Sequence, residues 1–184
     1  MKRTIAMACL AALGAQPLMA DEITDALESA ITAYEEGDTQ YAIEELDYAK
    51  QQLLALRTDA LVEFLPAAPE GWSREVNTKM NAGLAMMGGG TGAEATYEGD
   101  GQSITVSIMA DNPMVGAVSG MIANAAMMGA TIERVGRQKF MVNDGEINGL
   151  VDKRILVKAT GGKVEDMLAL LETIDYRGLR RFGI

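Results

Sequence analysis

Pro66-Ala67-Ala68-Pro69-Glu70-Gly71 divides the chain into two stretches that obey different periods. Each proline removes a backbone donor and biases the residue before it toward extended backbone, so neither a helix nor a sheet ladder runs through the segment. Upstream, apolar residues recur at helical spacing. Downstream, they alternate with polar ones and are interrupted by glycine turns. A helical portion followed by a mostly stranded one predicts an α+β chain.

The upstream stretch predicts two helices. Ile23, Ala26, Leu27, Ala30, Ile31 and Tyr34 form one amphipathic stripe over residues 22–36. Gly37 suits the helix end, and Asp38 suits the cap of the next helix. A second stripe runs from Thr39 to about Leu65 through Ala42, Leu46, Ala49, Leu53, Leu56 and Ala60. A turn this short sends the second helix back antiparallel to the first. Ala30, Ala42 and Ala49 permit close approach. The run Ala33-Tyr34-x-x-Gly37-Asp38-x-x-x-Ala42-Ile43-x-x-Leu46-x-x-Ala49 resembles the helix–turn–helix of a tetratricopeptide repeat, over about one repeat. In that family stacked repeats make a groove for peptides. The resemblance therefore implies a helical hairpin and a role in partner binding. A lone unit has no neighbouring repeat to bury its face and must pack on something else.

The first twenty residues read as a secretory signal peptide. Lys2 and Arg3 form the charged start, Ile5 to Leu13 the apolar run, and Gly14 to Ala20 the small-residue exit. The apolar run is too short to span a bilayer. Cleavage is expected after Ala20, with the protein periplasmic or secreted. Cys9 lies within the apolar run, so the remaining chain has neither cysteine nor histidine. That excludes disulfides, Ser-His-Asp and Cys-His hydrolases, thiol redox chemistry, His/Cys zinc sites and histidine-held haem. The expected organisation is a signal peptide over 1–20, an acidic helical hairpin over 21–65, a linker over 66–71 and an α+β module over 72–184.

Trp72, the only tryptophan, follows the linker and is read as an anchor that closes the second module's core. Residues 80–92, rich in methionine and glycine, predict a flexible loop or a strained strand end. Glu94–Tyr97 and Ser103–Met109 flank the turn signal Glu98-Gly99-Asp100-Gly101-Gln102. Further strands are expected over 131–135, 139–142, 146–151 and 154–159, with Asn143-Asp144-Gly145 as a turn. Lys163 to about Tyr176 predicts a closing helix, with Val164, Met167, Leu168, Leu171 and Ile174 on one stripe. The entry through Leu65-Pro66 and Gly71-Trp72, then hairpin, middle helix, more strands and terminal helix, resembles the PsbP-like α/β/α sandwich over residues 64–176. That resemblance rests on element order. It implies an accessory or adaptor role on a larger complex and transfers no functional residues.

The uncharged stretch Met114–Ala130 predicts the middle helix, with Asn112-Pro113 at its start and Gly129 at its end. As a helix it separates residues by size. Met114, Val115, Val118, Met121, Ile122, Ala125 and Met128 form a large side, expected against Ile104, Val106 and Ile108. The opposite side carries Gly116, Gly120 and Ala123, where another surface can approach the backbone closely. Gly116, Gly120, Ala123 and Trp72 are thus the candidate partner contacts.

Charge narrows the partners. Residues 21–70 carry 13 Asp/Glu against Lys50 and Arg57, whereas residues 131–184 have a net charge of +2. A nucleic-acid partner is not expected of so acidic a chain. The reading is an exported, non-catalytic binding or adaptor protein that docks on a protein partner, with no cofactor and no metal. Two alternatives remain: a carrier of an apolar ligand, lipid or isoprenoid, lined by Met114, Val118, Met121 and Met128, or Cu(I) held by methionines.

Overall fold

A computed structural model describes residues 19–86 and 89–183. The segment expected as a signal peptide lies outside the described residues except for Met19 and Ala20, and Met87 also lies outside them. Contacts divide the chain into two compact units between Leu53 and Leu54. The overall class is α+β, as the two periodicities predict.

The first unit is a helical hairpin. Helix α1 spans Met19–Glu36, and helix α2 begins at Thr39 and ends at Val62. Gly37, with φ +89°, reverses the chain. Its N–H donates to the Tyr34 carbonyl and that of Asp38 to the Ala33 carbonyl, which satisfies two orphan acceptors at the end of α1. Asp38 then caps α2: its carboxylate accepts from the Tyr41 N–H at 3.1 Å. Among the described residues of this unit the buried ones are Ala26, Ala30, Ala33, Ala42 and Ala49. The inward stripe is therefore narrower than the periodicity predicts. Leu27, Ile31, Tyr34, Leu46 and Leu53, expected inward, are exposed, and Ala33 takes a place in the seam.

The second unit starts within α2. Leu61 and Leu65 lie in its core, whereas Ala60, expected on the inward stripe, is exposed. The segment expected as a linker is also held by this unit, since the buried Tyr97 hydroxyl donates to the Pro66 carbonyl at 2.7 Å. Seven strands follow: β1 Ser73–Asn77, β2 Thr91–Gly99, β3 Gln102–Ala110, β4 Thr131–Val135, β5 Gln138–Asn143, β6 Glu146–Val151 and β7 Ile155–Thr160. They form one sheet, ordered β1-β2-β3-β7-β6-β5-β4, with every neighbour antiparallel. Asp100-Gly101 and Asp144-Gly145 have positive φ at both central positions, the backbone a two-residue hairpin with right-twisting strands demands.

Helices cover both faces. Alternation along the strands sends Ala95, Tyr97, Ile104, Val106, Ile108, Val157 and Ala159 to one face. That face meets Leu61 and Leu65, helix α5 (Val164–Glu172) through Met167, Leu170 and Leu171, and the short helix α6 (Tyr176–Leu179) through Leu179. The closing helix is thus shorter than the predicted stripe, with Ile174 in the connection to α6. Two other helices stand elsewhere. Residues 80–86 form helix α3 rather than a loop. Its Asn81 side chain holds β2 by donating to the Gly92 carbonyl at 2.8 Å and accepting from the Gly92 N–H at 2.7 Å. Leu84 and Met80 fill the space beside Gly92.

The middle helix, α4, covers Met114–Ala123 only. Asn124 ends it, and a 3-10 turn over Ala125–Met128 leads to Gly129 at φ +72°. Pro113, expected as the first helical residue, stands at the N-cap position instead, and the Asn112 side chain just before it accepts from the Met114 N–H at 2.9 Å. Helix α4 packs over β6 and β7 rather than on Ile104, Val106 and Ile108, which point to the face that α5 covers. Val115, Ala125, Met141 and Leu156 are buried outside the main core, a second small cluster on the α4 side.

Two glycines test this packing. A Cβ at Gly149 would come within 2.3 Å of the buried Phe140 ring, whereas one at Gly116 meets open space. Gly149→Ala is expected to destabilise by about 1–3 kcal/mol through overpacking. Gly116→Ala is expected to stabilise α4 by about 0.5–1 kcal/mol through helix propensity. Urea denaturation of the two variants checks the opposite signs.

Candidate docking surface

An alanine seam has a consequence for every larger apolar residue beside it. The side chains buried between the two helices are alanines, and the longer apolar side chains beside them stand on the flanks in solvent. On one flank of the hairpin Ala30 and Ala42 form the floor of an open trough of about 500 Å³. Ile31 and Tyr34 from α1 and Ile43 and Leu46 from α2 form its walls, with Glu35 and Thr39 toward the turn. The walls stand well in solvent, at 60% exposure for Ile31, 71% for Tyr34, 55% for Ile43 and 51% for Leu46. Single exposed apolar residues are ordinary; a contiguous set from two helices makes this trough the candidate docking surface.

Carboxylates border the trough. Glu28 and Glu35 are seven residues apart and share an edge of α1 on either side of Ile31. Asp47 lies one turn beyond Ile43 on α2. All three are exposed. From Asp21 to Leu53 the chain carries 10 Asp/Glu against Lys50 alone. Among the described residues no carboxylate of the hairpin is in an ion pair, and Lys50, two turns beyond Ile43 on α2, is the one cation set against the ten acids of this stretch.

The residues singled out from sequence lie elsewhere, in the second unit. Trp72 is half-buried against the core. Its ring lies on Gly99, where a Cβ would come within 2.4 Å, and its Nε1–H donates to the Asp100 carboxylate at 3.3 Å. Gly116 and Gly120 lie on the exposed side of α4, and no described atom approaches within 4 Å of a Cβ built at either one. Ala123 closes α4 and Met128 closes the 3-10 turn; their side chains lie outside what is described. Met114 and Met121 are each 43% exposed, and Val118 is half-buried. Met114 and Met121 are two helical turns apart, about 10.5 Å along the axis. Among the described residues no three His, Cys, Asp or Glu side chains converge to hold a metal ion. No helix among them is long and apolar enough to cross a membrane.

Sequence reasoning assigned Ile31, Tyr34 and Leu46 to the inside and so missed the trough. The signal was present: each helix offers both an alanine line and a parallel line of large residues, more apolar surface than one two-helix contact can bury. No family model, curated protein or solved structure matches the chain.

One electrostatic contact of the second unit joins three distant segments. Asp111, at φ +57°, follows β3. Arg154 donates to both of its carboxylate oxygens at 3.0 Å, and Arg57 of α2 donates to one at 2.7 Å. Arg154 also donates to the Phe182 carbonyl at 2.8 Å, and the Arg57 guanidinium stands 5.5 Å from the Phe182 ring centroid. The Phe182 ring meets Phe64 edge-on, so the clasp closes the end of the chain over the last turns of α2. Burial acts to raise the Asp111 carboxyl, but hydrogen bonds and charge from Arg154 and Arg57 outweigh it and hold it below the usual carboxylate range. A depressed folded-state pKa adds stability above the unfolded value that is lost as pH falls through the folded one. Asp111→Asn keeps a side chain that tolerates positive φ. It is expected to cost about 1 kcal/mol at pH 7, a solvent-screened value for a partly exposed ionic contact. The gap should shrink toward zero as pH falls below about 3.9, the ordinary aspartate pKa. Denaturation of both proteins across that range measures it.

Proposed function

We propose that the chain is an exported, non-catalytic binding or adaptor protein that docks on a protein partner through its helical hairpin. The observation that carries this reading is the trough. Ile31, Tyr34, Ile43 and Leu46 lie side by side in solvent on a unit whose interior is already filled by alanine. A patch of that kind lowers its free energy by apolar burial when a complementary surface covers it. The hairpin's resemblance to one tetratricopeptide repeat supports the same use. The Lys2-Arg3 start, the Ile5–Leu13 run and the Gly14–Ala20 exit support export.

Helix α4 supplies a second candidate contact surface. Its outer side presents Gly116, Ala117, Gly120 and Met121, uncharged and exposed. Small residues let a partner backbone come near, and the methionine can adjust its shape to the partner.

The test is capture from the exported fraction of the source cells with the tagged full chain, after mild cross-linking. Wild type is compared with Ile31→Ser/Leu46→Ser and with Gly120→Leu. Ile31, Leu46 and Gly120 are all exposed, so circular dichroism should be unchanged. A discrete partner recovered by wild type and reduced at least about tenfold by the trough variant, equivalent to about 1.4 kcal/mol, supports the reading. Loss with Gly120→Leu as well extends the interface to α4. Equal recovery by all three proteins overturns docking through either surface.

A further inference from the structure

Resting on the docking reading, we infer that the occupant of the trough is an amphipathic helix from a partner protein, apolar on one face and lined with Lys or Arg on its flanks. Three observations select it. The first is shape. The floor of Ala30 and Ala42 runs between two antiparallel helices, and the walls rise from both sides over about two turns of each. A third helix laid along such a groove buries residues at i, i+3, i+4 and i+7 against both walls. The second is chemistry: the walls are aliphatic and aromatic, and they offer an extended peptide no row of free backbone groups to pair with. The third is charge. Glu28, Glu35 and Asp47 flank the groove, within a unit that carries ten acids and one base from Asp21 to Leu53. Basic residues flanking the apolar face of the incoming helix meet these carboxylates at the rim, where they raise the rate of encounter and fix register.

Charge also decides against the simplest other occupant. A second copy of the hairpin would bring a like-charged rim onto this one, with Lys50 the only cation on each side between Asp21 and Leu53. Like-charge juxtaposition across an interface opposes association. Salt-dependent attraction to a cationic helix is the behaviour the groove is built for.

The experiment is a titration of the whole chain, without its leader, against three synthetic helical peptides that share one leucine face. Their flanks are Lys/Arg, Gln/Ser and Glu. Fluorescence anisotropy of the labelled peptide is read at low and high salt, and sedimentation reports the protein's own oligomeric state. The cationic peptide is expected to bind at least about tenfold more tightly than the neutral one, and the acidic peptide more weakly than both. The preference should shrink severalfold between about 0.05 and 0.5 M salt as the Debye length shortens. Ile31→Glu and Leu46→Glu are the decisive variants. Each adds a negative charge, yet each is expected to reduce cationic binding at least about tenfold, because it places a carboxylate on a wall that must be covered.

If either variant binds the cationic peptide as well as wild type or better, the attraction is diffuse and the proposal is overturned. Equal binding of neutral and cationic peptides overturns the basic flanks and leaves apolar docking intact. If no peptide binds while partner capture still depends on Ile31 and Leu46, the occupant is not a free helix, and the docking reading alone stands. A dimer that Ile31→Glu dissociates assigns the groove to a second copy and overturns the proposal.

Discussion

The alanine seam of the hairpin is the constraint from which the functional reading follows. Ala26, Ala30 and Ala33 on one helix meet Ala42 and Ala49 on the other. Methyl groups at these positions remove little apolar surface from water. At roughly 25 cal/mol per Å², a seam of methyls contributes far less than one of leucines. The chain carries larger apolar residues in this unit, but the buried positions between the helices are taken by alanine. Tyr34 and Leu46 are consequently on the outside although their spacing is that of an inward stripe. The unit is in effect built with its small residues inside and its large ones available.

The second unit is built by the opposite rule. Its sheet buries large residues on one face, Tyr97, Ile104, Phe140 and Ile147 among them, against α5, α6 and the final turns of α2. Its polar connections are short and specific: Tyr97 to Pro66, Asn81 to Gly92, Gln102 to Asp166 at 2.6 Å, and the Arg154–Asp111–Arg57 clasp. Burial pushes the phenols of Tyr97 and Tyr176 above their ordinary range, as expected of hydroxyls used as structural donors rather than as acids. This unit has the properties of a scaffold. Leu61 of α2 and Leu65 just after it are integrated into that scaffold, while the residues of α2 before Leu54 belong to the hairpin.

Much of this architecture was legible in the residues. The alternation of Ile104, Val106 and Ile108, the Asp-Gly turns, the Gly37-Asp38 reversal and the proline-bounded exit from α2 each name their local structure through backbone physics. Three features were not legible. Helix α3 is seven residues long and rich in methionine and glycine, so no periodicity announces it. It is held by tertiary contacts, Asn81 on Gly92 and Leu84 beside it. Strand β1 is an edge strand, exposed along most of its length, and carries no alternating apolar signal. The trough was misread because periodicity reports that a face is apolar, whereas volume decides which of two adjacent apolar lines enters the seam. On α4 the split by size matches the exposed Gly116 and Gly120, but Met114 and Met121, expected against the sheet, are each 43% exposed, and the strands beneath are β6 and β7 rather than the one carrying Ile104, Val106 and Ile108.

The central claim is that the apolar walls of the hairpin face solvent in the free protein. Hydroxyl-radical footprinting of the whole chain, read residue by residue by mass spectrometry, measures this directly. Tyr34 at 71% exposure and Leu46 at 51% should be oxidised rapidly, whereas Tyr97, fully buried, should be protected and serves as the internal standard. Protection of Tyr34 and Leu46 to the level of Tyr97, at concentrations where the protein sediments as a monomer, would show that the chain covers this surface itself and would contradict the account.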